Sequence, residues 1–112
     1  MTIFERIILR QIPADIVFED DELIAFRDIE PKAPVHILLV PKRHIANINE
    51  LKETDTLMIG RLVLRASEIA RTEGIAESGY RLVINCNRDG GQSVDHVHVH
   101  ILGGRPMKWP PG

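Results

Sequence analysis

His96-Val97-His98-Val99-His100-Ile101-Leu102 alternates imidazole with aliphatic side chains along its length. In an extended strand, successive side chains point to opposite faces. The sequence therefore predicts a strand over Asp95–Leu102 with His96, His98 and His100 on one face. Val97, Val99 and Ile101 would be turned towards a core. The chain has 5 histidines, so most of them gather on this one surface. A row that merely met solvent would be better served by lysine, glutamate or threonine. Titratable rings crowded on one face, beside a glycine turn, point instead to a functional site.

Working outward, Asn87-Arg88-Asp89-Gly90-Gly91-Gln92-Ser93 reads as a turn, and Tyr80–Asn85 before it as a strand. From Thr54 to about Glu73 the period changes. Leu57, Met58, Leu62, Ala66, Ile69 and Ala70 recur as one face of a long helix, with Asp55 near its start and Gly74 placed to end it. Val35–Val40, closed by Pro41, is a further strand, and Asp15–Glu19 and Leu23–Arg27 form a hairpin about Asp20-Asp21. At the beginning, Thr2-Ile3-Phe4-Glu5 has the form of a capping box, followed by a short helix that Pro13 closes off. This is an α+β layout: a five-stranded antiparallel sheet, one long helix and a short N-terminal one. No repeat, linker or low-complexity segment divides residues 1–112, which read as a single domain.

The histidine face admits two chemistries. Same-face neighbours on a strand are about 6.8 Å apart, and the outer pair about 13 Å. Zinc ligands must converge to about 3.5 Å of one another, so three histidines of a straight strand do not readily close on one ion. Two could do so with His36 as a third ligand, which keeps a metal reading open. The other chemistry is nucleophilic. A neutral imidazole is a good nucleophile near neutral pH, and neighbouring rings can fix its tautomer and donate to charged oxygens. The Gly90-Gly91 turn could bring backbone N–H groups close to a phosphate, and Ser93 could donate to a departing group.

Bulk properties exclude other classes. A net charge of −2 and a pI near 6.2 give no general electrostatic grip on nucleic acid or acidic membranes. The single cysteine, Cys86, cannot form an internal disulfide and suits a reducing cytoplasm. Neither a spanning apolar run nor a signal-peptide pattern is expected.

His96 to Leu102 resembles in full the His-φ-His-φ-His-φ-φ motif of the histidine triad (HIT) superfamily. Asp28-Ile29-x-Pro31-x-Ala33-Pro34-x-His36, Asp89-Gly90-Gly91-Gln92-Ser93 and the tail from Gly103-Gly104-Arg105 through Trp109-Pro110-Pro111-Gly112 are similar to its Hint branch. The resemblance implies a meander sheet, continued as ten strands across a homodimer. It also implies hydrolysis of purine nucleoside 5′-phosphoramidates, of the adenosine 5′-monophosphoramidase type, with no cofactor and no metal.

Residue by residue, the resemblance makes His98 the nucleophile and His100 a phosphate contact. His96 and His36 become a hydrogen-bond relay, and Ser93 a phosphate and leaving-group contact. It places the backbone of Gly91 and Gln92 and the side chain of Asn85 around the phosphate and ribose. Asp28 would receive the ribose hydroxyls, which suits a carboxylate's acceptor capacity. Ile3, Phe4, Ile7, Phe26 and Ile29 would form the slot for the base, although apolar residues at such spacing read equally as core. Trp109 would reach a partner chain's leaving-group pocket. His44, after Pro41-Lys42-Arg43, reads as structural. Two alternatives stand beside this reading: a dinucleotide hydrolase or nucleotidyl transferase of the same superfamily, and a nucleotide-binding interaction module with little turnover.

Overall fold

The computed structural model describes every residue, Met1–Gly112. In chain order the elements are helix α1 (Ile3–Ile8), strands β1 (Ile16–Glu19), β2 (Leu23–Arg27) and β3 (Val35–Pro41), helix α2 (Thr56–Thr72), and strands β4 (Tyr80–Val83) and β5 (Val99–Gly103). Two short 3₁₀ turns, Ile48–Glu50 and Glu53–Asp55, lead into α2. No helix is long and apolar enough to cross a membrane.

All neighbouring strands pair antiparallel, in the order β1-β2-β3-β5-β4. The first three strands form the expected meander. A strict meander would then set β4 beside β3, but the α2 crossover carries β4 to the far edge. Strand β5 returns to fill the place between them. The triad strand is therefore an inner strand, bonded on both sides.

Alternation on β2 and β3 sorts the core into two layers. Leu23, Ala25, Ile37 and Leu39 face α2, where they meet Met58, Leu62, Ala66, Ile69 and Ala70 together with Val97, Val99 and Ile101. Ile24, Phe26, Leu38 and Val40 face the other way, onto Phe4 and Ile7 of α1. A six-residue helix does not persist alone in water. Burying Phe4 and Ile7 stabilises α1 by about 1.5–3 kcal/mol each. Its capping box is formed as expected: Glu5 N–H donates to Thr2 Oγ1 at 3.2 Å and Thr2 N–H to Glu5 Oε1 at 2.8 Å.

Helix α2 ends as the sequence predicts. Gly74 takes a φ of 78°, with Gly74 N–H bonded to Arg71 O and Ile75 N–H to Ala70 O, the paired bonds of a Schellman motif. Its start and one of its face residues differ from expectation. Asp55 makes no cap bond to α2, because its carboxylate accepts from Lys52 N–H and Arg43. Leu57 is turned out to solvent at 73% exposure, since it lies one residue, about 100° of helix, from the buried Met58.

The regular part of β5 is also shorter than the predicted Asp95–Leu102. The β3–β5 ladder stops at Leu39 with Val99. Two residues further along β3 stands Pro41, which has no N–H to continue it. His96 and His98 therefore lie on an irregular approach to β5, tied by Val97 N–H to Ile45 O at 2.7 Å. The alternation survives, because Val97, Val99 and Ile101 all stay in the α2-side core.

Candidate active site

A cavity of about 620 Å³ opens on the α1 side of the sheet, within the range of small-molecule sites. Ile3, Phe4, Ile7, Phe26, Asp28, Ile29, His36, Ser93, His98 and His100 all line it. Helix α1 supplies one wall, the end of β2 another, and the approach to β5 the floor. Ile29 is 90% exposed at the rim, so this residue is not held there by core packing. Phe4 serves both core and cavity, its ring edge-on to Phe26 at 5.5 Å and to His98 at 4.9 Å between centroids.

Hydrogen bonds to backbone groups fix the protons on the imidazoles, because a carbonyl only accepts and an amide N–H only donates. His98 Nδ1 lies 2.6 Å from His96 O, so Nδ1 carries the proton and Nε2 keeps its lone pair. His96 Nε2 donates to Pro41 O at 2.7 Å. Lys32 N–H donates to His36 Nδ1 at 3.0 Å, which puts the His36 proton on Nε2. That proton goes to His100 Nδ1, 3.0 Å away. His100 must then carry its own proton on Nε2. The result is one ring with a bare nitrogen, His98, beside one ring with a donor N–H, His100. Their centroids are 4.9 Å apart.

Burial keeps these rings neutral. It is the leading cause of lowered basicity at His36, His96 and His98. At His100, burial and then the neighbouring His98 and His36 bring the pKa down to about 4. The Asp28 carboxylate accepts from Glu30 N–H at 2.8 Å through Oδ1. Its Oδ2 lies 3.5 Å from His36 Nε2 at the cavity wall, with acceptor capacity left over.

The turn before the triad behaves differently from expectation. Gly91 N–H is bonded to Arg88 O and Gln92 N–H to Asn87 O, so neither amide is free for a phosphate. The amides of Ser93 and Val94, both at the cavity wall, make no such bond. Asn85 and Gln92 brace the turn: Asn85 Nδ2 donates to Gly90 O, and Gln92 Nε2 to Ala46 O and Val94 O. Gly90 is required there, since a Cβ would come within 2.3 Å of Cys86 O. Trp109 is 82% exposed and does not line the cavity of its own chain.

Ile12, Pro13, Ala14, Leu38 and Val94 also line the cavity and were not among the expected site residues. Ile12 to Ala14 lie in a loop without periodicity, so no pattern marks them. Leu38 is legible only as core. His44, read as structural, does donate from Nε2 to Asp95 O at 2.8 Å.

Known proteins of similar sequence and structure place the chain in a family. Residues 9–107 match the HIT domain family. The chain is 55% identical to an uncharacterised HIT-like protein of Synechococcus elongatus, over 99% of this chain and 96% of the relative. It is 53% identical to a purine nucleoside phosphoramidase of Escherichia coli, over 95% of this chain and 89% of that protein. A solved HIT family hydrolase from Legionella pneumophila superposes with a TM-score of 0.98 at 50% identity, each chain covered in full.

Proposed function

This chain belongs to the HIT domain family, and from that premise we propose that it hydrolyses purine nucleoside 5′-phosphoramidates through a nucleotidyl-histidine intermediate. The observation that carries the reading is the bare Nε2 of His98, held by the 2.6 Å bond from Nδ1 to His96 O and facing a cavity of nucleotide size. The Escherichia coli relative, named a purine nucleoside phosphoramidase, supports the substrate class.

In the first step the His98 Nε2 lone pair attacks the α-phosphorus. The P–N bond breaks, and the amine leaves with a proton from Ser93 or solvent. The ring gains positive charge, which strengthens its Nδ1–H bond to His96 O. His100 Nε2–H and the free amides of Ser93 and Val94 meet the charged oxygens. In the second step water attacks the same phosphorus and the P–Nε2 bond breaks. Nucleoside monophosphate is released, and the proton lost by water replaces the one taken by the amine. Asp28 receives the ribose hydroxyls, while Phe4, Ile7, Phe26, Ile3 and Ile29 enclose the base. Gly91, Gln92 and Asn85 act by shaping the turn.

A homodimer belongs to this reading. Leu57, Val63 and Leu64 of α2 are exposed, as is Ile84 just beyond the edge strand β4. Two-fold pairing along β4 would join two five-stranded sheets into one of ten, cover this apolar surface and bring Trp109 towards the partner's cavity. One free cysteine and a net charge of −2 support a cytoplasmic protein acting on small nucleotides.

The test is release of AMP from an adenosine 5′-phosphoramidate by the wild type and His98→Ala. The expected loss is about a thousandfold or more, roughly 4 kcal/mol of barrier, with nucleotide binding retained. A variant keeping more than a few per cent of activity removes His98 as nucleophile. A wild type that binds AMP without turnover favours the interaction module.

A further inference from the structure

The loop of residues 29–34, between β2 and β3, makes no backbone-to-backbone hydrogen bond. Three side chains hold its main chain instead. Asp28 Oδ1 accepts from Glu30 N–H at 2.8 Å, and His36 Nδ1 accepts from Lys32 N–H at 3.0 Å. Arg105 donates to Lys32 O from Nε at 3.1 Å and from Nη2 at 2.9 Å. The first two side chains belong to the candidate site. The third lies just beyond β5, and the pairing of Val35 with Gly103 in the β3–β5 ladder brings it beside the loop. Arg105 Nη1 donates to Pro106 O at 3.1 Å, so every guanidinium nitrogen ends on a carbonyl and no carboxylate is among its acceptors. A planar fork closed on one carbonyl fixes position better than a single donor on a flexible stem.

Lys32 is thus held at both ends, by Arg105 at its carbonyl and by His36 at its amide. The amide has a chemical consequence. With the Lys32 N–H on His36 Nδ1, the His36 proton sits on Nε2 and goes to His100 Nδ1, 3.0 Å away. His100 then faces the cavity with its N–H on Nε2. Were the amide to move away, His36 Nδ1 could take the proton. His36 Nε2 would then accept from His100 Nδ1, and His100 would meet phosphate oxygens with a lone pair instead of a donor. We propose that Arg105 is a positioning residue of the triad, acting through Lys32 and His36 to keep the His100 proton on Nε2. Its effect on rate rests on the phosphoramidase reading, while the tautomer belongs to the unliganded protein.

The test compares Arg105→Met, which keeps the aliphatic stem and removes the donors, with Arg105→Lys, which restores one. In protein labelled with ¹⁵N-histidine, the ring nitrogen shifts report each tautomer without substrate. Wild type should show His36 and His100 protonated on Nε2. Arg105→Met should move both towards the Nδ1–H form, and Arg105→Lys should largely restore them. With an adenosine 5′-phosphoramidate, kcat and kcat/KM of Arg105→Met should fall together by about tenfold to a hundredfold, as when a contact made only in the transition state is weakened. Adenosine, which has no phosphate, should bind as it does to wild type. Arg81→Met frees Lys108 O without touching Lys32 and should keep the wild-type tautomers. A wild-type His36 tautomer in Arg105→Met overturns the proposal, whatever the activity. So does a shifted tautomer with wild-type kcat, or an equal shift in Arg81→Met, which assigns the effect to the tail as a whole. A tautomer shift confined to Arg105→Met, in a protein whose wild type releases no AMP, upholds the positioning and removes the phosphoramidase reading instead.

Discussion

At His98, the proposed reactivity depends on which nitrogen holds the proton and whether the ring stays neutral. The carbonyl of His96 decides the first and burial the second. Free imidazole titrates near about 6.5, and the native rings only below that, with His100 at about 4. The acid limb of kcat/KM should therefore fall below pH ~6.5, and a limb above pH ~7 would contradict a neutral buried nucleophile. Between those values the unfolded chain binds more protons than the native one, so stability falls as pH drops from about 6.5 towards about 4. Urea midpoints across that interval check it. Asp28 belongs to the same scale. Asp28→Asn replaces one acceptor oxygen by a donor, so ribonucleotide binding should weaken more than 2′-deoxynucleotide binding. Equal losses for the two would remove Asp28 from the ribose site.

Among the elements, the C-terminal tail invites a direct test. Arg105 is pinned to Lys32 O at the cavity wall and Arg81 holds Lys108 O, yet Trp109 beyond them is exposed. Deleting Trp109–Gly112 should leave the fold intact and change relative kcat/KM among phosphoramidates with different amines. An unchanged amine profile would return the tail to a solvated terminus. What the sequence made legible follows the range of the forces involved. The Thr2–Glu5 cap and the Gly74 terminus are local, and both stand where expected. The in-out order of His96 to Ile101 is also local and holds. The extent of β5 was not legible, because it depends on Pro41 lying across the ladder. Nor was the commitment of Gly91 and Gln92 N–H groups to their own turn. The resemblance named His36 for a relay, but its pairing with His100, 64 positions away, became readable only in the folded chain. Leu57 matched the helical period yet falls one residue off the buried stripe.

At the scale of the whole molecule, one chain leaves Leu57 and Leu64 of α2 in water, at 73% and 59% exposure, and leaves β4 as an edge strand paired on one side only. The proposed two-fold dimer would cover both features. Light scattering at micromolar concentration should give twice the chain mass, and Leu57→Glu with Leu64→Glu should give a folded monomer; a monomeric wild type would refute the assembly. The sheet, both helices and the turn converge on a single nitrogen, and the central claim is that it becomes bonded to phosphorus. The direct measurement is rapid-quench mass spectrometry of the protein during turnover of an adenosine 5′-phosphoramidate, with peptide mapping. The account predicts an adenylyl group on the peptide bearing His98, formed at the rate of amine release and absent from His98→Ala. Amine release without any adduct, or an adduct mapped to another residue, would contradict it.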